Sequence, residues 1–190
     1  LDVTAPFKDV NEAVQSVTVE SPLGAADVVV NCAGTAFPAK MEDIPMENFR
    51  RLMDLNYFGS VSVTKAVLPQ MKSRGSGCIV FVSSQAGLIG LYGFTAYSAT
   101  KFAVRGFAEA LAMEVAPYGI TVSVNCPPDT DTPGFAEEEK MKPEETKLIS
   151  QSPDCSSPKR SQSKQFFMRS KKSQPGPNFT KVHHYSSTTN

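Results

Sequence analysis

GCIVFVSSQAGLIGLYGFTAYSATKFAVRGFAEALAMEVAPYGITVSVN, residues 77–125, decides the fold. It opens on Cys78–Val82, a short apolar run that reads as a buried parallel strand. A turn-rich segment follows, then a long helical pattern over Ala96–Ala116, stopped by Pro117 and Gly119. Ile120–Asn125, rich in β-branched residues, supplies the next strand. Strand, helix, strand in this order is a parallel βαβ unit.

The same alternation extends toward the N-terminus. Residues 9–20 are helix-like, and Ala26–Asn31 carries the run Val28, Val29, Val30, too continuous for a half-exposed strand and typical of a buried parallel one. Between the first two strands, Phe49, Leu52, Met53, Asn56, Val63, Ala66, Val67 and Met71 recur at helical spacing, predicting one helix over Met46–Arg74 ended by Gly75 and Gly77. The fold class is therefore α/β, an open parallel sheet with helical crossovers.

Composition divides the chain at about Ser150. The formal net charge of the 190 residues is zero, but residues 1–150 hold 12 Lys/Arg against 18 Asp/Glu and residues 151–190 hold 7 against 1. The basic charges of the tail are scattered among Ser, Gln and Pro without helical period, with Phe166, Phe167 and Met168 as a brief apolar cluster. We expect a solvated, disordered segment there and neither a nucleic-acid site nor a membrane-binding site. No apolar run reaches the ~18 residues of a membrane span. Cys32, Cys78, Cys126 and Cys155 form no CxxC pair and read as reduced structural thiols. Both histidines, His183 and His184, lie in the tail. Acid–base chemistry in residues 1–150 must use other side chains, and no metal site is expected.

Tyr97 and Lys101 offer that chemistry. An i, i+4 pair on a helix puts the ammonium beside the phenol. A phenol with an ordinary pKa near ~10 is a poor acid at neutral pH, and a neighbouring cation is expected to lower it. Ser84 follows the end of a strand, at the carboxyl edge where open α/β sheets place ligands, so its hydroxyl can hydrogen-bond a substrate carbonyl oxygen.

These residues carry a resemblance. Asn31-Cys-Ala-Gly34 resembles the NNAG segment of the short-chain dehydrogenase/reductase family with Cys in the second place, and Asn56–Gly59 matches its NxxG. Ser84 precedes Tyr97 by thirteen positions, as in that family, and Tyr97–Lys101 is its YxxxK. Asp2 and Val3 look like its DV element. PPDTDTPGF at residues 127–135, VSSQAG at 82–87 and GFTAYSATKFAVRG at 93–106 are similar to the 3-ketodihydrosphingosine reductases.

The resemblance implies a Rossmann-like, doubly wound parallel sheet lacking its first strands, with Ala26–Asn31 as an exposed edge. Residues 1–150 would be a partial catalytic domain and 151–190 a tail unlike the family's continuation. Tyr97 would be the general acid of ketone reduction, and Lys101 would lower its pKa and bind the nicotinamide ribose. Ser84 would orient the substrate oxygen and Asn56 would hold a water of the proton relay. NADPH would be lined by Asp2, Val3, Asn31, Ala33, Gly34, Tyr97, Lys101, Pro127, Thr130 and Thr132. The reaction implied is reduction of the 3-keto group of a long-chain base in sphingolipid synthesis, at the cytosolic face of the endoplasmic reticulum membrane. A homo-oligomer would form through Met46–Arg74 and Ala96–Ala116.

Two departures stand against this. The family's phosphate loop, TGxxxGxG, is absent, because the chain begins at what would be the end of the third strand. Gly87, Gly90 and Gly93 follow the serine strand and do not replace it. Pro128 also stands where the family has Gly. Weak cofactor binding and slow turnover by this polypeptide alone are expected. Two alternatives stay open: a reductase of a steroid, retinoid or acyl carbonyl, and a non-catalytic variant that pairs with full-length subunits.

Overall fold

A computed structural model describes residues 1–21, 24–150 and 167–169. Its frame is three parallel strands, β1 (Val28–Asn31), β2 (Gly77–Val82) and β3 (Ile120–Asn125), with β2 in the centre. A short β4 (Phe167–Arg169) pairs antiparallel with β3, Val124 opposite Met168. The disorder expected over residues 151–190 lies, apart from β4, outside the described residues.

Among the described residues six α-helices precede, connect and follow these strands: α1 (Phe7–Glu20), α2 (Met46–Met53), α3 (Gly59–Arg74), α4 (Thr95–Val115), α5 (Pro133–Met141) and α6 (Glu144–Ser150). The inward face of the sheet packs under α1, α3 and α4. Ile79, Phe81, Val122 and Val124 form one cluster with Val67 and Met71 of α3 and Val104, Leu111 and Val115 of α4, and Val14 of α1 packs against it. Burying Phe81 and Ile79 completely is worth about 1.5–3 kcal/mol each.

The opposite face corrects the reading of Val28–Val30 as a buried run. Val28 and Val30 are both 57% exposed, because β1 is an edge strand and no described helix covers that side. In β2 and β3 burial alternates, with Ile79, Phe81, Ile120, Val122 and Val124 buried and their neighbours half-buried. Continuous apolar sequence thus meets a sheet covered on one face.

The helix expected over Met46–Arg74 is present over those bounds, with one irregularity that the sequence does not show. A π-helical turn, Asp54–Phe58, separates α2 from α3. Such a turn inserts one extra residue into the i→i−4 ladder and re-aims the side chains around it, and here it carries the buried Asn56. Gly59, just after the turn, sits against Val3: a Cβ there would lie 2.7 Å from Val3 Cγ2, so NxxG needs its glycine for close approach. Gly75 ends α3 at φ 70°, its N–H bonded to Lys72 O while Ser76 N–H reaches Met71 O. Pro117 and Gly119 stop α4 through a 3₁₀ turn, as their sequence positions suggest.

Candidate active site

The carboxyl ends of β1 and β2 and the first turns of α4 bring the predicted catalytic residues together. Asn56 is 1% exposed and fully engaged. Its Oδ1 accepts from Thr35 N–H at 2.9 Å, and its Nδ2 donates to Thr35 O at 3.0 Å and to Thr100 Oγ1 at 2.9 Å. Thr100 Oγ1 in turn donates to the Tyr97 carbonyl at 2.8 Å. The π-helical turn, the loop after β1 and the first turn of α4 are thereby tied at one amide. Sequence patterns single out Asn56 but miss Thr35 and Thr100. The only available signal for Thr100 was its place directly before Lys101 in the helix.

Lys101 is buried, and its Nζ donates to Val82 O at 2.9 Å, at the last residue of β2. The same ammonium lies 5.6 Å from the centre of the Tyr97 ring. Ser83, also missed, is 3% exposed and donates from Oγ to Lys101 O at 3.2 Å, clamping the strand end to α4. Ser84 is extended, at φ −163°, and its Oγ accepts from Ala86 N–H at 3.2 Å as the cap of the Gln85–Gly87 turn.

The expected tuning of Tyr97 by Lys101 is not what the structure shows. Burial pushes the Tyr97 phenol up to about 12; a hydrogen bond with Ser84 opposes this, and the charges of Glu138 and Asp129 add to it. Burial likewise brings Lys101 down to about 8. In both groups burial is the largest cause, and it disfavours the charged form of each. At neutral pH the phenol is protonated, the form a general acid needs, and Lys101 is still mainly charged.

The residues expected at the cofactor fall into three groups. Asn31 is buried and donates from Nδ2 to Thr64 Oγ1 at 3.3 Å, while Ala33 and Gly34 are exposed on the loop above Asn56 and Lys101. That loop passes close over both: a Cβ on Gly34 would lie 3.0 Å from Asn56 Oδ1 and 3.5 Å from Lys101 Nζ. Asp2 is exposed and accepts from Thr4 N–H and Thr4 Oγ1 at 2.9 and 2.7 Å, which holds its carboxyl below the usual range. Val3 packs on Gly59.

The third group follows β3. Pro127 is half-buried there, Thr130 Oγ1 donates to Pro128 O at 3.0 Å, and Thr132 Oγ1 accepts from Phe135 N–H at 3.1 Å as the N-cap of α5. Thr132 thus has a structural task whether or not it meets a ligand. The structure brings Asn56, Tyr97, Lys101 and the Ala33–Gly34 loop together and places Ser84 beside Tyr97; Asp2 and Thr132 are occupied by local turns.

A 3-dehydrosphinganine reductase of Danio rerio is 52% identical over 158 residues, covering 83% of this chain and 47% of the relative. A 3-ketodihydrosphingosine reductase of Mus musculus is 53% identical over 151 residues, covering 80% and 45%. The chain therefore spans about half the length of the curated relatives it matches. Among solved structures, ElxO with NADP bound aligns at TM-score 0.72 and 27% identity, covering 83% of this chain and 64% of that one. A gluconate 5-dehydrogenase from Burkholderia cenocepacia in complex with NADP and tartrate aligns at TM-score 0.68 and 26% identity, covering 80% and 55%. The family model for short chain dehydrogenases matches residues 1–143, which includes every residue of the site just described, and the chain belongs to that family.

Proposed function

We propose that this chain carries the catalytic residues for NADPH-dependent reduction of 3-ketodihydrosphingosine to dihydrosphingosine. The observation that carries the reading is the half-buried Tyr97 beside Ser84, with Lys101 and Asn56 fixed around it, in a chain half identical to proteins of that name. Tyr97 donates the proton to the substrate oxygen, and Ser84 orients that oxygen by a hydrogen bond. Asn56 fixes the Thr35 and Thr100 segments, and it is read, from the family resemblance, as the holder of a water of the proton relay.

The residues present fit the nicotinamide end of the cofactor. An ammonium carries three donors and Val82 O takes one, so Lys101 can also reach a ribose hydroxyl beneath the Ala33–Gly34 loop. When bound, the nicotinamide supplies the hydride. Asp2 and Val3 are read as the adenine side, and Pro127, Thr130 and Thr132 as the nicotinamide side.

Residues 1–150 are read as the catalytic part and 151–190 as a tail. Among the described residues no helix is long and apolar enough to cross a membrane. An endoplasmic reticulum address, facing the cytosol, is proposed from the family resemblance alone. A homo-oligomer through α2, α3 and α4 is supported by Met46 of α2, Phe58 of the π-helical turn, and Phe102 and Met113 of α4, which leave 64, 52, 43 and 74% of their surface exposed.

The test is a substrate panel. The full-length polypeptide containing this chain is assayed for NADPH oxidation with 3-ketodihydrosphingosine, a ketosteroid, retinal and a 3-ketoacyl thioester. Turnover of the long-chain keto base at least tenfold more efficient than of the others is expected. Preference for one of the others refutes the substrate assignment.

A further inference from the structure

Lys142, just past the end of α5, is a buried cation that the reading above leaves unused. Its side chain is 1% exposed. Three carboxylates surround it, Asp129 at 3.8 Å, Glu138 at 3.6 Å and Glu139 in direct contact. Its Nζ also faces two aromatic rings, 4.4 Å from the centre of Phe135 and 5.8 Å from that of Phe94. Burying an ammonium is costly unless it is paired, so this position is a constructed one.

The construction leads to Tyr97. The Phe94 ring lies 5.8 Å from the Tyr97 ring, at the start of the same helix, which puts Lys142 Nζ within about 12 Å of the Tyr97 ring. Two of the Lys142 partners, Glu138 and Asp129, are the carboxylates whose charge opposes ionisation of the phenol. The other groups that act on Tyr97 are Ser84, through a hydrogen bond, and Cys126.

The chain after Lys142 is fastened to the turn that precedes α4 and to the Ala39–Lys40 segment beside it. Thr146 Oγ1 donates to Tyr92 O at 3.1 Å, Gly93 O accepts from Ala39 N–H at 2.9 Å, and Lys40 bonds Glu145 at 2.8 Å. Gly93, at φ +76°, leaves room for this: a Cβ there would lie 2.3 Å from Thr146 Oγ1.

We infer that Lys142 is a positioning residue for proton donation: it holds Asp129 and α5 against the Phe94–Tyr97 face and cancels carboxylate charge that would otherwise weaken the acid. The inference rests on the proposed role of Tyr97 as the acid. A unit charge within about 12 Å at an effective dielectric of ~20 changes a pKa by about one unit, which sets the scale of the effect.

The experiment uses the full-length reductase containing this chain, with Lys142→Met, Lys142→Arg, Lys142→Met/Glu138→Gln, Glu138→Gln and Tyr97→Phe compared by kcat, KM and thermal midpoint. Lys142→Met is expected to lower kcat by about three- to tenfold, the rate equivalent of up to one unit of acid strength, with KM changed less. Lys142→Arg should recover most of that loss, and so should Lys142→Met/Glu138→Gln, because removing a carboxylate restores the charge balance. A wild-type kcat in Lys142→Met overturns the inference. So does a loss that neither Arg nor Glu138→Gln recovers, which is the pattern of a packing role. Should Lys142→Met not fold, Glu138→Gln decides: kcat held or raised supports the inference, and a tenfold fall overturns it. Tyr97→Phe separates the two levels, since an active Tyr97→Phe refutes the acid itself, whereas an inactive one beside a silent Lys142 set refutes Lys142 alone.

Discussion

Replacing Asn56 by Ala removes three hydrogen bonds at once, those to Thr35 N–H, Thr35 O and Thr100 Oγ1. A net intramolecular hydrogen bond is worth about 1 kcal/mol, and a buried partner left unpaired costs more. Thr35 is exposed and can turn to water, whereas Thr100 is 1% exposed and keeps only its bond to Tyr97 O. The expected loss is therefore about 2–3 kcal/mol. With a urea slope of ~2 kcal/mol/M, the denaturation midpoint of this chain falls by about 1–1.5 M, followed by far-ultraviolet circular dichroism. Asn56→Asp keeps the acceptor for Thr35 N–H but turns an oxygen toward Thr35 O, so it should cost at least as much at pH 7. A loss below about 0.5 kcal/mol for Asn56→Ala would mean that the amide does not tie the π-helical turn to α4, and the reasoning fails.

Three further outcomes follow from the same geometry. Lys101 is depressed to about 8 from an ordinary 10.5, so between those values the unfolded chain binds more protons and stability rises with pH; below pH 8 the full cost of charging the buried amine, about 3 kcal/mol, is present. Tyr97 is raised to about 12 from 10.0, so above pH 10 the folded chain holds the extra proton and stability falls as pH rises; urea titrations from pH 7 to 11 should show the rise and then the fall, and Tyr97→Phe should lose the fall. Lys101→Met should be at least as stable as the parent at pH 7 while abolishing reduction in the full-length enzyme, a pairing that thermal melts and NADPH oxidation check together. Gly59→Ala should destabilise by about 1–3 kcal/mol through its contact with Val3, and Val3→Ala in the same chain should recover part of it in a double-mutant cycle.

Much of the frame is legible in the residues because the signals are local. Pro117 and Gly119 end α4 where their backbone preferences require, and the β-branched Ile120–Asn125 forms β3. Tyr97, Lys101 and Ser84 are legible because two share a helix face and the third follows a strand. What escapes the sequence is contact between distant segments. Thr35 and Thr100 matter only through Asn56, and Lys142 only through Phe94. The π-helical turn changes the helix by a single residue and leaves the apolar spacing of Met46–Arg74 almost intact, so periodicity reads straight through it. The Val28–Val30 run misleads for a different reason: hydrophobicity reports what a strand can be covered by, and here the outer face of the edge strand is uncovered. The direction of the Tyr97 shift is likewise invisible in the sequence, since it depends on burial and on the placement of Ser84, Glu138 and Asp129.

The most direct test of the account is the reduction of 3-ketodihydrosphingosine by the full-length enzyme and its Tyr97→Phe variant, with NADPH binding followed in parallel by fluorescence. The account predicts a fall in kcat of at least 100-fold, on the scale of a lost general acid, with NADPH affinity changed by less than about threefold. A Tyr97→Phe enzyme that keeps kcat within threefold of the parent would contradict it.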